Sequence, residues 1–273
     1  MQLGSEAEAQ GYRLLSLDLT SSTSEDALAA AREGDPGRLW IVAAEQRAGR
    51  GRHGRQWSSP PGNLYTSLLL IDPCEAAAAS QLGFVAGLAI HEAVEAVTGI
   101  GTPHLALKWP NDLLLDGGKV SGLLIEGHAL RGGGLAIVVG IGVNVASGPT
   151  GTPYPTASLW SARPGVTREA LFQALSDRFA ACFASWQNAR RTRPADSFAA
   201  IRRLWLERAA GLGTAVTLRL PSGERRGTFA GLDPRGRLEL RTEAGLELID
   251  AGDLYFPDLH TTTAELSSGP KGS

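Results

Sequence analysis

A basic, glycine-rich run at residues 49–55 is the feature that most restricts how this chain can fold. It holds three glycines and three arginines and has no apolar periodicity that would place it in a helix or a strand. Apolar segments flank it at residues 39–44 and 63–70, and each has the composition of a buried strand. The sequence therefore predicts a basic loop held between two core strands, where binding and catalytic residues tend to lie.

The composition of this loop suits the binding of an anion. Glycine lets backbone N–H groups approach a ligand, and guanidinium groups bind phosphate or carboxylate oxygens in pairs. A solvated basic loop that contacts nucleic acid is the alternative. The chain has 26 Lys and Arg residues against 28 Asp and Glu residues, a formal net charge of −2. The positive charge is therefore local, unlike that of a basic nucleic-acid-binding domain.

Length, composition and cysteine content are those of a globular protein from a reducing compartment. With 273 residues, 43% of them hydrophobic, the chain can bury the core of one large domain, alone or with a small appendage. Cys74 and Cys182 lie far apart and predict neither a disulfide framework nor a zinc site. The first residues lack the regions of a signal peptide, and no apolar run reaches about 18 residues. We therefore expect a cytoplasmic protein without a membrane span.

Hydrophobic periodicity predicts an α+β protein with a mixed sheet. Strands are expected at residues 12–19, 39–44, 63–70, 105–109, 112–115, 120–126 and 135–145. Helices are expected at residues 22–33, 76–97, 168–186 and 197–210, the first with a capping box of Ser22 and Glu25. Short alternating strands follow Gly213 and predict a small β-barrel-like module. The expected domains are a flexible N terminus at 1–11, a main domain at 12–210, a small domain at 211–258 and a disordered tail at 259–273.

A second group of polar residues lies between two predicted strands. Pro110 forces a turn after Lys108 and Trp109, which leaves Asn111 and Asp112 at a strand junction with side chains free to bind a ligand. Lys119 follows a glycine turn and begins an otherwise apolar strand, so its charge must face solvent or an anion. A simple turn and a snorkelling lysine are the alternatives at these two places.

These motifs occur in one order along the chain: Ser22-Thr23, Gln46 with residues 49–57, residues 108–112, residues 119–122 and residues 140–144. In these residues the chain resembles the biotin protein ligases, from about Tyr12 to Phe256, in a monofunctional form without an N-terminal DNA-binding domain. The resemblance implies a class II synthetase-like α+β catalytic domain, shared with lipoate ligases. A mixed sheet with helices on one face and a small C-terminal SH3-like β-barrel are expected.

The resemblance also implies a reaction. Biotin would be activated with ATP and Mg²⁺ as biotinoyl-5'-AMP, with release of pyrophosphate. The biotinoyl group would then pass to a lysine of a biotin carboxyl carrier protein domain of acetyl-CoA carboxylase or a related carboxylase. Two anions meet in the first step, so positioning and charge neutralisation are expected to suffice without a covalent enzyme nucleophile.

Roles for individual residues follow from the resemblance alone. Lys119 and Arg52 are expected at the reacting groups, and Asp112 is the expected Mg²⁺ ligand. The expected biotin-binding residues are Ser22, Thr23, Gln46, Gly49, Arg50, Lys119, Gly122 and Leu123. The expected ATP- or adenylate-binding residues are Arg50, Arg52, Arg55, Trp57, Asn111, Asp112, Lys119 and Asn144. A helix cap at Ser22 and a plain core position at Leu123 are the alternatives.

Departures and rival functions complete the expectations. Ser24 stands where the family often has Asn, and Arg47 stands where it often has a small polar residue or Gln. A lipoate ligase would lack this loop, and a single-strand nucleic-acid module would need exposed aromatic platforms, whereas aromatic residues are only 6% of the chain. No helix-turn-helix precedes Tyr12, so no DNA partner is expected. The strand at residues 135–143 is either a homodimer edge or an internal strand.

Overall fold

The computed structural model describes residues 1–256 as two β-sheets with six helices. The strands are β1 Arg13–Thr20, β2 Leu39–Gln46, β3 Leu64–Ile71, β4 Leu105–Lys108, β5 Asp112–Leu115, β6 Gly118–Ala129, β7 Leu135–Val143, β8 Ala215–Leu220, β9 Gly223–Leu232, β10 Leu238–Thr242, β11 Gly245–Ile249 and β12 Asp253–Tyr255. The helices are α1 Ser5–Ala9, α2 Thr23–Arg32, α3 Gln81–Thr98, α4 Leu159–Ala162, α5 Arg168–Thr192 and α6 Ala199–Leu206. The predicted mixed α+β architecture is confirmed.

A seven-stranded mixed sheet forms the larger domain, in the order β1-β2-β3-β7-β6-β5-β4. Only β1 and β2 run parallel, because the connection between them is α2; the other neighbouring strands are antiparallel. The strand β7 pairs with β3 on one side and β6 on the other. The prediction that this strand offers a dimer edge is therefore wrong, and the alternative of an internal strand is correct.

The two faces of the large sheet are covered unequally. Alternate side chains of β2, including Trp40 and Val42, point into the main core, where they meet the apolar faces of α3 and α5. The intervening residues, including Leu39 and Ile41, pack with Ala27 of α2 in a smaller core. This alternation is the period-2 pattern of a strand buried on both faces. Most helices therefore lie on one face, as expected, and α2 covers part of the other.

The C-terminal module is a five-stranded antiparallel sheet in the order β11-β10-β9-β8-β12. It packs against the large domain through buried contacts: the Trp109 indole donates to the carbonyl of Gly236 at 3.3 Å, and Arg202 donates to the carbonyl of Leu232 at 3.0 Å. Its last strand thereby lies beside the predicted site.

The N-terminal residues differ from the prediction of a flexible segment. They form α1, which packs on α5 with Leu3 and Ala7 buried. The backbone N–H of Gly4 donates to Ser176 Oγ, and that of Ala7 donates to Asp177, each at 2.9 Å. Partners more than a hundred residues away satisfy these N–H groups, which local sequence does not reveal. The predicted tail at 259–273 lies outside the described residues. No helix in residues 1–256 is long and apolar enough to cross a membrane.

Candidate active site

One large cleft lies between the basic loop, the glycine-bearing strands β6 and β7, the turn at residues 109–111 and the strand β12. Its empty volume, which includes the part open to solvent, is about 1350 Å³. All but two of the predicted site residues line it: Ser22, Thr23, Gln46, Arg50, Arg52, Arg55, Trp57, Asn111, Asp112, Lys119, Gly122 and Leu123. Segments that are distant in sequence therefore meet at one place.

A bulge in β6 turns Lys119 into the cleft. The register between β5 and β6 shifts between Leu113 and Leu114, so Lys119 and Gly122 share one face although they are three residues apart. An unbroken strand would place residues at this spacing on opposite faces. The Lys119 ammonium lies 2.7 Å from Asp112 Oδ1, an ion pair whose angles are not those of a hydrogen bond. The cleft thus holds the Lys119 ammonium beside the Asp112 carboxylate.

The arginines of the loop are held by carboxylates. Arg50 pairs with Glu25 at 3.0 Å, and both side chains are largely exposed. Arg55 pairs closely with Asp253 of β12. Arg52 donates to Asn111 Oδ1 at 3.3 Å, and its guanidinium lies 3.9 Å from Asp253. The loop is therefore fastened to both domains.

The pKa values of these groups reflect burial and pairing. Burial lowers the pKa of Arg52, opposed by the carboxylates of Asp253 and Asp112, but an arginine this basic stays charged. Burial alone would raise the pKa of Asp253, yet the hydrogen bond from Arg55 and the nearby positive charges lower it overall. The Arg55–Asp253 hydrogen bond raises the pKa of the arginine. Arg52, Arg55 and Asp253 are consequently ionised at neutral pH.

Lys108 is a second ammonium group lining the cleft. Burial lowers its pKa, and the charge of Lys119 lowers it further, whereas the carboxylates of Asp112 and Asp253 oppose the shift. Its Nζ lies 5.6 Å from the centroid of the Tyr255 ring. Two lysines therefore face the same space, which concentrates positive potential where an anionic substrate would sit.

A wall of hydroxyl and amide groups forms another side of the cleft. The amide oxygen of Gln46 accepts from the Thr23 N–H at 2.9 Å, and its amide nitrogen donates to Ser59 Oγ at 3.0 Å. Ser67 lies buried 2.7 Å from the Thr23 hydroxyl and 3.0 Å from that of Ser24. These bonds fix the wall before any ligand arrives, which is the preorganisation that selective polar recognition requires.

The predicted capping box at the start of α2 is not formed. Ser22 occupies the N-cap position in extended conformation, but its side chain makes no cap hydrogen bond. Glu25 pairs instead with Arg50 of the loop. Ser22 lines the cleft, and the contact of Glu25 with Arg50 replaces the expected local one.

The floor of the cleft is made by two glycines that face each other on β6 and β7, Gly122 and Gly142. A Cβ on Gly142 would lie 2.5 Å from the Trp57 indole, and one on Gly122 would lie 2.9 Å from it. Only glycine therefore lets the indole lie on this floor. The Trp57 Nε1 is buried without a hydrogen-bond partner.

Gly49 and Asn144 do not line the cleft. Gly49 lies buried at the base of the loop, where its carbonyl accepts from the Trp57 N–H at 2.9 Å. The Asn144 amide donates to the carbonyls of Lys119 and Ala157, at 3.3 Å and 3.1 Å. Both residues shape the site through the backbone and do not present a side chain to it.

Sequence reasoning missed several residues that line the cleft. Ser24 and Gly140 lie at or beside predicted motifs but were given no role, and the others come from segments with no motif of their own: Thr66, Ser67, Tyr154, Pro155, Asp253, Tyr255 and Phe256. Tyr154 lies in a loop rich in Gly, Pro and Thr, and Asp253 lies in the small domain. Neither has a local pattern that points to a site, because only the packing of the two domains and the path of the loop bring them there.

The carboxylates that line the cleft are Asp112 and Asp253. Within residues 1–256 no group of three or more His, Cys, Asp or Glu side chains gathers to hold a metal ion. Asp112 Oδ1 is buried, makes no hydrogen bond and pairs with the Lys119 ammonium at 2.7 Å, so a Mg²⁺ ion whose other ligands are substrate phosphates and water would share this carboxylate with the lysine. Asp253 is occupied by Arg55.

The mixed sheet joins a polar pocket to a cationic loop, with a small β-module beside it, which is the arrangement of a site that binds anionic ligands. Residues 18–144 match the model of the Biotin/lipoate A/B protein ligase family, and residues 211–256 match the Biotin protein ligase C terminal domain. The chain belongs to the biotin protein ligase family and is a ligase.

Individual relatives agree with this assignment. The chain is 43% identical over 239 residues to a biotin--[acetyl-CoA-carboxylase] ligase of Paracoccus denitrificans, covering 87% of this chain and 98% of that protein. It is 31% identical to the ligase of the same description from Mycobacterium tuberculosis, over 86% of this chain and 85% of that protein. The structure of the biotin protein ligase from Aquifex aeolicus in complex with biotin and ATP matches with a TM-score of 0.75 and 29% identity, covering 89% of this chain and 97% of that one.

Proposed function

We propose that this protein is an ATP-dependent ligase that activates biotin as biotinoyl-5'-AMP and transfers biotin to a lysine of a biotin carboxyl carrier protein domain. The observation that carries the proposal is the single cleft in which Lys119 lies between a preorganised polar wall and a cationic loop. The names of the relatives, which include acetyl-CoA-carboxylase ligases, support this substrate class.

The proposed first step joins two anions. A carboxylate oxygen of biotin attacks the α-phosphorus of ATP, and the bond to the bridging oxygen breaks to release pyrophosphate. No proton is transferred, so the protein's task is to lower repulsion and align the groups. Lys119 neutralises both the carboxylate and the phosphoryl oxygen, and Arg52 binds the phosphate side. Mg²⁺, when bound through Asp112, adds charge neutralisation on the phosphates.

The walls of the cleft divide the proposed substrates. Ser22, Thr23 and Gln46 face the ureido ring of biotin, whose carbonyl and N–H groups need polar partners in a buried site. Gly122 and Leu123 border the ring system and the valeryl chain. The nucleotide is proposed to contact the remaining residues of the cleft predicted for it, Arg50, Arg52, Arg55, Trp57, Asn111 and Asp112. Gly49 and Asn144 support these contacts through the backbone.

In the proposed second step the lysine amine of the carrier attacks the carbonyl of the mixed anhydride, and AMP leaves. The carrier is proposed to belong to acetyl-CoA carboxylase or a related carboxylase. No DNA or membrane partner is proposed, and the reducing cytosol remains the proposed compartment. A homodimer remains a proposal. Within residues 1–256 the edge strands of the large sheet are β1 and β4, and Leu107 of β4 already pairs with residues 208–210, so β1 would be the open edge.

The test uses purified protein, biotin, Mg²⁺ and ATP labelled at the α-phosphate, with Lys119→Ala and lipoate as controls. A labelled biotinoyl adenylate that the wild type forms and the variant does not supports the proposal. Adenylate formed only with lipoate would show that lipoate is the substrate. No adenylate with either acid would contradict the proposal. Addition of a carrier domain with its target lysine, and of the same domain with that lysine changed to arginine, tests the transfer.

A further inference from the structure

Tyr154 is an aromatic residue of the cleft that no motif predicted. It lies in the segment between β7 and α4, and its side chain is 36% exposed. The centroid of its ring is 5.6 Å from the ammonium of Lys119, and the ring of Trp57 is 5.4 Å from the same ammonium. The charge of Lys119 is therefore flanked by two aromatic faces, each of which attracts a cation.

The segment that carries Tyr154 is bound to the backbone of Lys119. The Lys119 N–H donates to the carbonyl of Pro155 at 2.9 Å, and its carbonyl accepts from the N–H of Ala157 at 3.0 Å. Thr156 lies between these partners and forms a parallel bridge with Lys119. Tyr154 is thus fixed relative to the lysine backbone.

Trp57 is attached differently. It follows the basic loop, in which Arg50 and Arg55 are held by partly exposed ion pairs and Arg52 is held by hydrogen bonds to Asn111 and the carbonyl of Gly252. A ligand that draws these arginines away also frees the loop to move. The ring of Tyr154 remains with Lys119 in either state, because its segment is hydrogen-bonded to the lysine itself.

The ring of Tyr154 opposes the attraction of Asp112 for the Lys119 ammonium. The Asp112 carboxylate is 2.7 Å from the Lys119 ammonium and would draw a flexible side chain toward itself. The Tyr154 ring, 5.6 Å from the ammonium, offers a competing attraction that weakens if the ammonium moves away. The low polarity of the ring also strengthens the field of the charge toward the open cleft.

We propose that Tyr154 is a positioning residue that holds the Lys119 ammonium where the substrate carboxylate and phosphoryl group meet. The kinetic consequence of this inference rests on the proposed function. The aromatic face attracts the ammonium and the hydroxyl is not needed, so Tyr154→Phe should keep Lys119 in position. Tyr154→Leu keeps an apolar side chain and removes the ring.

The kinetic test measures adenylate formation at saturating ATP and varied biotin. We expect Tyr154→Phe to stay within about twofold of the wild type and Tyr154→Leu to lose on the order of tenfold in kcat, with a smaller change in KM. The two variants should therefore differ, because only Tyr154→Phe keeps a ring beside the lysine. Equal kcat for Tyr154→Leu and wild type, or an equal loss in Tyr154→Phe, overturns the proposal.

A spectroscopic test is independent of activity. The chain has three lysines, Lys108, Lys119 and Lys271, so the ¹³Cε signals of lysine-labelled full-length protein are few enough to assign by substitution. Tyr154→Leu should move the Lys119 signal, because a ring face no longer shields it, while leaving that of Lys108 in place. Tyr154→Phe should leave both. An unmoved Lys119 signal refutes the contact even in an inactive protein, whereas a wild type that forms no adenylate refutes the proposed function alone.

Discussion

The base of the basic loop has no room for a side chain at Gly49. A Cβ there would lie 2.6 Å from Ser59 Oγ, 2.6 Å from the backbone oxygen of Trp57 and 3.0 Å from the Gln46 amide nitrogen. The serine hydroxyl can rotate away, but the Trp57 carbonyl is backbone and must move with the chain. A methyl group at Gly51, two residues later, would meet only the Arg55 carbonyl at 3.5 Å. Gly49→Ala and Gly51→Ala therefore form a matched pair.

The clash at Gly49 sets the size of the expected loss of activity. Forcing a methyl group into a packed site costs about 1–3 kcal/mol, and a shift of about 1 Å at a reacting group reduces the rate on the order of a hundredfold. Gly49→Ala moves Trp57 and Gln46, so we expect adenylate formation to fall about 10- to 100-fold. Gly51→Ala has extended backbone geometry and ordinary contacts, so its rate should stay within about twofold.

The assay compares both variants with the wild type in formation of labelled adenylate, and then follows hydrolysis of the adenylate in the absence of a carrier. Gly49→Ala should also release more free biotin and AMP, because a displaced loop shields the anhydride less from water. Thermal unfolding measures any loss of stability, about 2–4 °C for each kcal/mol. Equal rates for the two alanine variants would refute the reasoning from the clash.

Two further predictions concern other supports of the site. Asn144→Ala removes the donor to the Ala157 carbonyl and should lower the free energy of unfolding by about 1–3 kcal/mol in urea titrations, whereas Asn188→Ala on the exposed face of α5 should change it by less than about 0.5 kcal/mol. Equal losses of stability in the two variants would contradict a structural role for the Asn144 amide. Asp253→Asn should cost about 0.5–1 kcal/mol at neutral pH, since its partner Arg55 is 61% exposed. The Asp253 pKa is lowered on folding, so this contribution to stability is fully present above the ordinary carboxyl pKa and disappears as the pH falls through the lowered value. If the variant and the wild type still differ in stability in acid, the ion pair is not the cause.

The elements of the main sheet could be predicted because their sequence signals are local. Strands β2 and β3 are short, mostly apolar segments, and α3 has apolar residues at helical spacing, so composition and periodicity mark them without knowledge of their neighbours. The helix α1 was not predicted, and the cap of α2 was predicted wrongly. Ser22 and Glu25 have the spacing of a capping box, yet Glu25 pairs with Arg50, a partner that local sequence does not show.

The candidate site divides in the same way. The run of glycine and arginine at residues 49–55, the turn at 108–112 and Lys119 are chemical signals in the sequence, because charged and conformationally special residues stand out between apolar strands. The sequence by itself thus determined the mixed sheet, the family resemblance and the main cations of the site. Only the tertiary structure decided that a bulge in β6 turns Lys119 to the face of Gly122, that Asp253 of the small domain pairs with Arg55, and that Tyr154 flanks the ammonium. These contacts join residues far apart in the chain, and their energies depend on distances that folding alone sets.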